Sequence, residues 1–123
     1  MDNKIYFFDS YALAEIKIGN PNYKPYLTAK IVLTKLNIFE IYYSILRDTG
    51  KKEAEQFLAE YYQFVIDFSQ DDIKEAAQLK LEYKKRDLSM TDCIGYVLAD
   101  RLGIKFLTGD KEFKDFENVE FIK

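Results

Sequence analysis

Along this chain, continuous apolar runs alternate with segments whose apolar positions recur every three or four residues. The first run, IYFFD (5–9), is apolar until its last position, the pattern of a strand buried on both faces. SYALAEIKI (10–18) reads as a short helix, and GNPNYKP (19–25) as a loop by its Gly, Asn and Pro content. Positions 26–35, which contain KIVLTK, fit a short strand or a helix equally well. A helix is predicted over 36–48 and is broken by DTGKK. The next starts near Glu53, with Ala54, Phe57, Leu58, Tyr61 and Val65 at helical spacing.

FVIDF (64–68) has the look of a strand. The following segment places Asp72 and Glu75 at capping-box spacing and reads as a helix to about Lys85. SMTDCIGYVLADRLG (89–103) opens on Ser89-x-x-Asp92, carries Ile94, Val97, Leu98 and Leu102 on one face, and stops at Gly103. IKFLT (104–108) is a second buried strand, GDKEFKDF turns into a short helix, and VEFIK closes as an edge strand. Strands alternating with helices predict an α/β fold with a parallel sheet. No repeat, low-complexity stretch or linker divides the chain, so one domain over 1–123 is expected.

Composition narrows the chemistry. There is no histidine, which removes Ser-His-Asp and Cys-His nucleophiles and paired imidazoles. The single cysteine, Cys93, excludes an intramolecular disulfide framework and a cysteine-rich zinc site, and reads as a small core residue. Hydrolysis would fall to carboxylates, lysines, tyrosines or a metal held by oxygen. No apolar run approaches the ~20 residues that cross a bilayer, and no basic leader precedes KIYFFDS, so a cytoplasmic protein without membrane contact is expected. The net charge of −3 does not announce a nucleic-acid binder, although bound divalent cations would change that balance locally.

Four acids stand out. In parallel α/β sheets, sites lie at the carboxyl ends of strands. Asp9 ends the first strand and Asp110 follows the IKFL strand by two residues, so both belong at one rim of the sheet. Both also suit helix N-caps, as Asp92 suits the capping box that opens its helix. Glu40 is different, because it interrupts LNIFEIYYSIL, where a buried carboxylate is costly. With Asn37 and Ser44 it forms a narrow polar stripe, which on a deep helix faces a cleft more often than bulk water. Asp71 and Asp72 read as caps, and Asp115, Glu117, Asp100 and Arg101 as solvated. The basic clusters KK (51–52) and YKKR (83–86) read as solvated faces, or as phosphate contacts if they border the cleft.

The ordered set FFDS, LNIFEIYYSILR, LSMTDCIGYVLADRLGIKFLTGDKEF and NVEFI resembles the PIN domain, especially the VapC-type toxins of prokaryotic toxin–antitoxin pairs, over essentially the whole chain. The resemblance implies a three-layer α/β/α sandwich around a mostly parallel sheet. It also implies a ribonuclease whose acidic residues bind Mg²⁺ or Mn²⁺. Carried over by position, the catalytic and metal-binding quartet is Asp9, Glu40, Asp92 and Asp110, with Ser10 and Thr108 as supporting hydroxyls. RNA is the implied substrate, and the implied partners are a cognate antitoxin and a second copy in a homodimer. Alternatives are an RNA-processing PIN nuclease outside a toxin pair and a non-catalytic PIN-fold binding module. A receiver-like signalling domain is a third, but it would carry an acidic pair after its first strand, where this chain has Asp9 and Ser10.

Overall fold

The computed structural model describes residues 4–123; positions 1–3, which belong to the expected domain and N-terminal reading, lie outside the described residues. Four parallel strands, β1 (Ile5–Phe8), β2 (Lys30–Val32), β3 (Lys105–Thr108) and β4 (Val119–Phe121), form one sheet in the order β2-β1-β3-β4. The chain leaves β1 toward β2 on one side and returns through β3 on the other. The order therefore reverses between β1 and β3, the point at which parallel α/β sheets form a crevice at the carboxyl ends of their strands.

Side chains alternate across the sheet and explain why both faces are covered. Tyr6, Phe8 and Leu107 point to one face and pack on α1 (Ser10–Ile18), α2 (Lys35–Asp48), α3 (Lys51–Tyr61) and a 3-10 segment at Pro21–Tyr26. Phe7 and Phe106 point to the other and pack on α4 (Gln70–Glu82), α5 (Met90–Leu102) and Phe113. The result is the expected α/β/α sandwich. α5 lies very close to the sheet: a Cβ on Gly95 would stand 2.6 Å from the Phe7 ring and 3.1 Å from that of Phe106.

Several local expectations change. The undecided stretch 26–35 supplies β2 and then Thr34, whose side chain and that of Asn37 form a capping box at the start of α2. The strand expected at 64–68 is absent. Tyr62–Phe64 is a 3-10 turn, and Val65 makes one parallel bridge with Leu33. β2 has already ended and Thr34 turns the chain into α2, so 64–68 has no strand left to extend. α3 accordingly stops at Tyr61, short of Val65.

The capping box of α4 pairs Ser69 with Asp72 rather than Asp72 with Glu75, and the helix ends at Glu82, before Lys85. Asp72 is buried and accepts two hydrogen bonds from Arg101, at 2.9 and 3.1 Å, so Arg101, exposed as expected, is also a structural partner. Asp115 likewise pairs with Arg86 at 2.7 Å. The Arg86 guanidinium lies 5.2 Å from the Tyr83 ring and 5.0 Å from that of Phe116, and also donates to the Glu112 carbonyl. This tie gives the arginine of YKKR a structural role linking the end of α4 to the segment before β4.

Candidate functional site

The crevice between β1 and β3 receives an acid from each side. Asp9 follows β1 directly. Its backbone N–H donates to the Leu107 carbonyl at 3.2 Å, which ties the two strands at their carboxyl ends. The Asp9 side chain caps α1 by accepting from the Ala12 N–H at 2.7 Å, and its Oδ2 accepts from the Thr108 hydroxyl. The Thr108 oxygen in turn accepts from the Asp110 N–H at 3.0 Å. Asp110 caps a short 3-10 turn through the Glu112 N–H, also at 3.0 Å. The cap reading of Asp9 and Asp110 thus holds, and it fixes both acids at the strand ends.

Asp92 lies in the first turn of α5, with its own N–H held by the Ser89 hydroxyl at 3.0 Å. Glu40 reaches the crevice from α2, where its Oε1 accepts from Ser10 Oγ at 2.6 Å. Ser10 Oγ also accepts from Asn37 Nδ2 at 3.1 Å. The stripe of Asn37, Glu40 and Ser44 does not simply face bulk water, since Asn37 is 1% exposed and Glu40 is partly buried.

The four acids share one electrostatic environment. Asp9 is 1% exposed, and burial pushes its carboxyl well above the ordinary value. The Thr108 hydroxyl and Ala12 N–H oppose that rise, while the charges of Asp92 and Asp110 reinforce it. Asp92 is pushed up to about 6, first by burial, against the Ser89 hydroxyl and with help from Glu40, Asp110 and Asp87. Asp87 is an acid at this rim that sequence reasoning did not pick out. Tyr11 was also missed: burial, then Glu15, Asp9 and Asp110, raise its hydroxyl, and its ring lies where a Cβ on Gly109 would stand, 2.1 Å away.

None of the ion pairs among the described residues includes Asp9, Glu40, Asp92 or Asp110. The donor set is carboxylate and hydroxyl oxygen, which suits a hard divalent cation such as Mg²⁺ or Mn²⁺. Among the described residues, no three acids stand close enough together to grip a metal ion as they are. The chemistry of the donors fits a divalent cation, and closing on one would require side-chain movement.

A family model described as PIN domain matches residues 6–119. No curated protein matches the sequence. Among solved structures, a toxin–antitoxin complex from Klebsiella pneumoniae is similar with a TM-score of 0.73 and 21% identity, covering 94% of this chain and 95% of the other. VapC20 of Mycobacterium tuberculosis, described as a toxin cleaving the sarcin–ricin loop, is similar with a TM-score of 0.73 and 18% identity, covering 98% and 100%. VapBC2 of Rickettsia felis, bound to a DNA fragment from its promoter, has a TM-score of 0.71 and 18% identity, covering 97% and 99%. At these identities the structures speak for the fold, and the family model covers most of the sequence: the chain belongs to the PIN domain family.

Proposed function

We propose that this protein is a divalent-metal-dependent endoribonuclease, the toxin of a toxin–antitoxin pair. The observation that carries the reading is a set of partly or fully buried acids from β1, α2, α5 and the turn after β3, crowded enough to raise the proton affinity of Asp9 and Asp92 and, among the described residues, in no ion pair with a cationic side chain. Such repulsion weakens a fold unless a ligand relieves it. A divalent cation is the ligand these oxygen donors suit.

Asp9, Asp92 and Asp110 would hold the metal directly or through water, with Glu40 beside them. When bound, Mg²⁺ or Mn²⁺ supplies a more acidic water and neutralises charge on the phosphodiester. Asp9 is held rigidly, with both oxygens tied to protein donors. Glu40 is held by one oxygen only, so its Oε2 can accept a proton from the attacking water. Ser10 and Thr108 orient Glu40 and Asp9 rather than react. Two divalent cations would turn the formal charge of −3 into +1, which favours an RNA phosphate at the cleft.

The toxin reading is supported by the Klebsiella, Rickettsia and Mycobacterium relatives, two of which are toxin–antitoxin complexes. An antitoxin and a second copy of the chain would need apolar surface. Two exposed grooves offer it, one of about 460 Å³ that includes Phe39, Tyr43, Leu46 and Tyr62, the other of about 640 Å³ that includes Ile73, Leu81 and Met90. No helix among the described residues is long and apolar enough to cross a membrane. The test is cleavage of RNA in Mg²⁺ or Mn²⁺, with and without chelator, by the wild type and Asp9→Asn. Cleavage that is metal-dependent and lost in the variant is expected. Metal binding without cleavage of any RNA would favour the non-catalytic module instead.

A further inference from the structure

Asn37 lies outside the acidic quartet, yet its side chain is buried and makes three hydrogen bonds. Its Oδ1 accepts from the Thr34 backbone N–H at 3.0 Å and from the Thr34 hydroxyl at 2.9 Å. Its Nδ2 donates to Ser10 Oγ, 27 positions earlier in the chain, at 3.1 Å. The capping box at the head of α2 needs only an acceptor at this position, which Asp, Glu or Gln supply as well. Capping therefore leaves the bond to Ser10 unexplained.

That bond has a direction. Two donors on Oδ1 assign the oxygen of the amide, so the nitrogen faces Ser10 and can only donate. Ser10 has a single hydroxyl proton. With its oxygen taken by Asn37, that proton goes to Glu40 Oε1, 2.6 Å away. We infer that Asn37 is a positioning residue: through Ser10 it fixes one carboxylate oxygen of Glu40 and leaves the other available to the cleft.

The consequence for cleavage rests on the nuclease reading above; the consequence for metal binding does not. Asp at position 37 would still accept from Thr34, but its second oxygen would compete with Glu40 for the Ser10 proton. Ala would remove both contacts. The purified variants Asn37→Ala, Asn37→Asp, Ser10→Ala and the two doubles with Ser10→Ala are compared with wild type. Three readouts are taken: melting in chelator, Mn²⁺ affinity of the stripped protein, and kcat and KM for RNA cleavage in Mg²⁺, each per folded molecule.

Asn37→Ala is expected to weaken Mn²⁺ binding about tenfold and to lower kcat about tenfold or more with little change in KM. Each double is expected to be no worse than Ser10→Ala alone, because the effect travels through that hydroxyl. Asn37→Asp keeps the Thr34 contacts but buries a charge beside Glu40, so it is expected to melt below the wild type at neutral pH and to lose kcat per folded molecule as well. Should neither Asn37 variant fold, Ser10→Ala decides, since it must lower Mn²⁺ affinity and kcat if that hydroxyl positions Glu40. A variant that melts lower but keeps wild-type Mn²⁺ affinity and kcat overturns the inference, as does a full additional loss in the doubles. A wild type that binds Mn²⁺ but cuts no RNA overturns the nuclease reading alone, and Asn37 is then judged on Mn²⁺ affinity.

Discussion

Replacing Asp92 by Asn removes one charge from the crowded rim while keeping the shape of the side chain and the Ser89 cap, which acts on the Asp92 backbone. The carboxyl rises from 3.8 to about 6 on folding, chiefly through burial. A raised value means that the native state holds the proton more tightly than the unfolded chain. The stabilisation from this group is thus complete below pH about 4 and is lost as pH rises through about 6. The difference of about two units corresponds to about 3 kcal/mol of stability lost by the metal-free wild type between those limits. Asn has no proton to lose, and without the Asp92 charge Asp9 is also relieved of one repulsive neighbour.

Thermal melts in chelator at pH 4, 5, 6 and 7.5 measure this directly. The variant is expected to follow a flatter pH profile and to gain as much as about 10 °C relative to wild type between pH 4 and pH 7.5. Added Mg²⁺ should reverse the order, raising the wild type more than the variant. Parallel profiles for the two proteins from pH 4 to 7.5 would refute the argument, because the Asp92 charge would then cost the fold nothing.

Glu40→Gln should abolish or greatly reduce cleavage while melting in chelator at or slightly above the wild-type temperature, since no cation among the described residues pairs with Glu40; a destabilised but fully active variant would remove this glutamate from the chemistry. Asp72→Ala should lower stability by about 1–2 kcal/mol with cleavage per folded molecule retained, because Asp72 serves the Ser69 cap and Arg101. Asp72 titrates below the ordinary range: burial raises it, but the Ser69 N–H and the Arg101 guanidinium outweigh that. Its contribution is therefore present above the unfolded value and lost as pH falls through the folded one, opposite in sign to Asp92. Asp71→Asn and Glu117→Gln, both at exposed positions, should leave RNA cleavage within a factor of two or so of wild type by the usual small effect of surface changes.

The elements with strong period or sharp stops were legible in the sequence. IYFFD and IKFLT are buried strands because both faces of the sheet are covered, and Gly103 ends α5 in the left-handed conformation that glycine accepts most readily. FVIDF misled because an apolar run says that a segment is buried, not that a strand is waiting beside it. The placement of Asp9 and Asp110 at one rim followed from strand ends alone. The role of Ser10 between Asn37 and Glu40 was not legible, since it depends on a contact between residues 10 and 37 that only the packing of α1 against α2 creates. The pairing of Asp72, itself legible as a cap, with Arg101 was hidden for the same reason, the two lying 29 positions apart on α4 and α5.

Gly95 stands one helical turn after Asp92, on the face of α5 that rests against Phe7 and Phe106. The absence of a side chain there sets how near the helix lies to the sheet, and so how far the Asp92 carboxyl reaches over the strand ends. A single methyl at this position would have to push apart two aromatic rings, Phe7 on β1 and Phe106 on β3, or lift the start of α5 outward. The two strands that would be disturbed are the ones that deliver Asp9 and Asp110. In this protein the span of the acidic rim is thus a property of the hydrophobic interior beneath it.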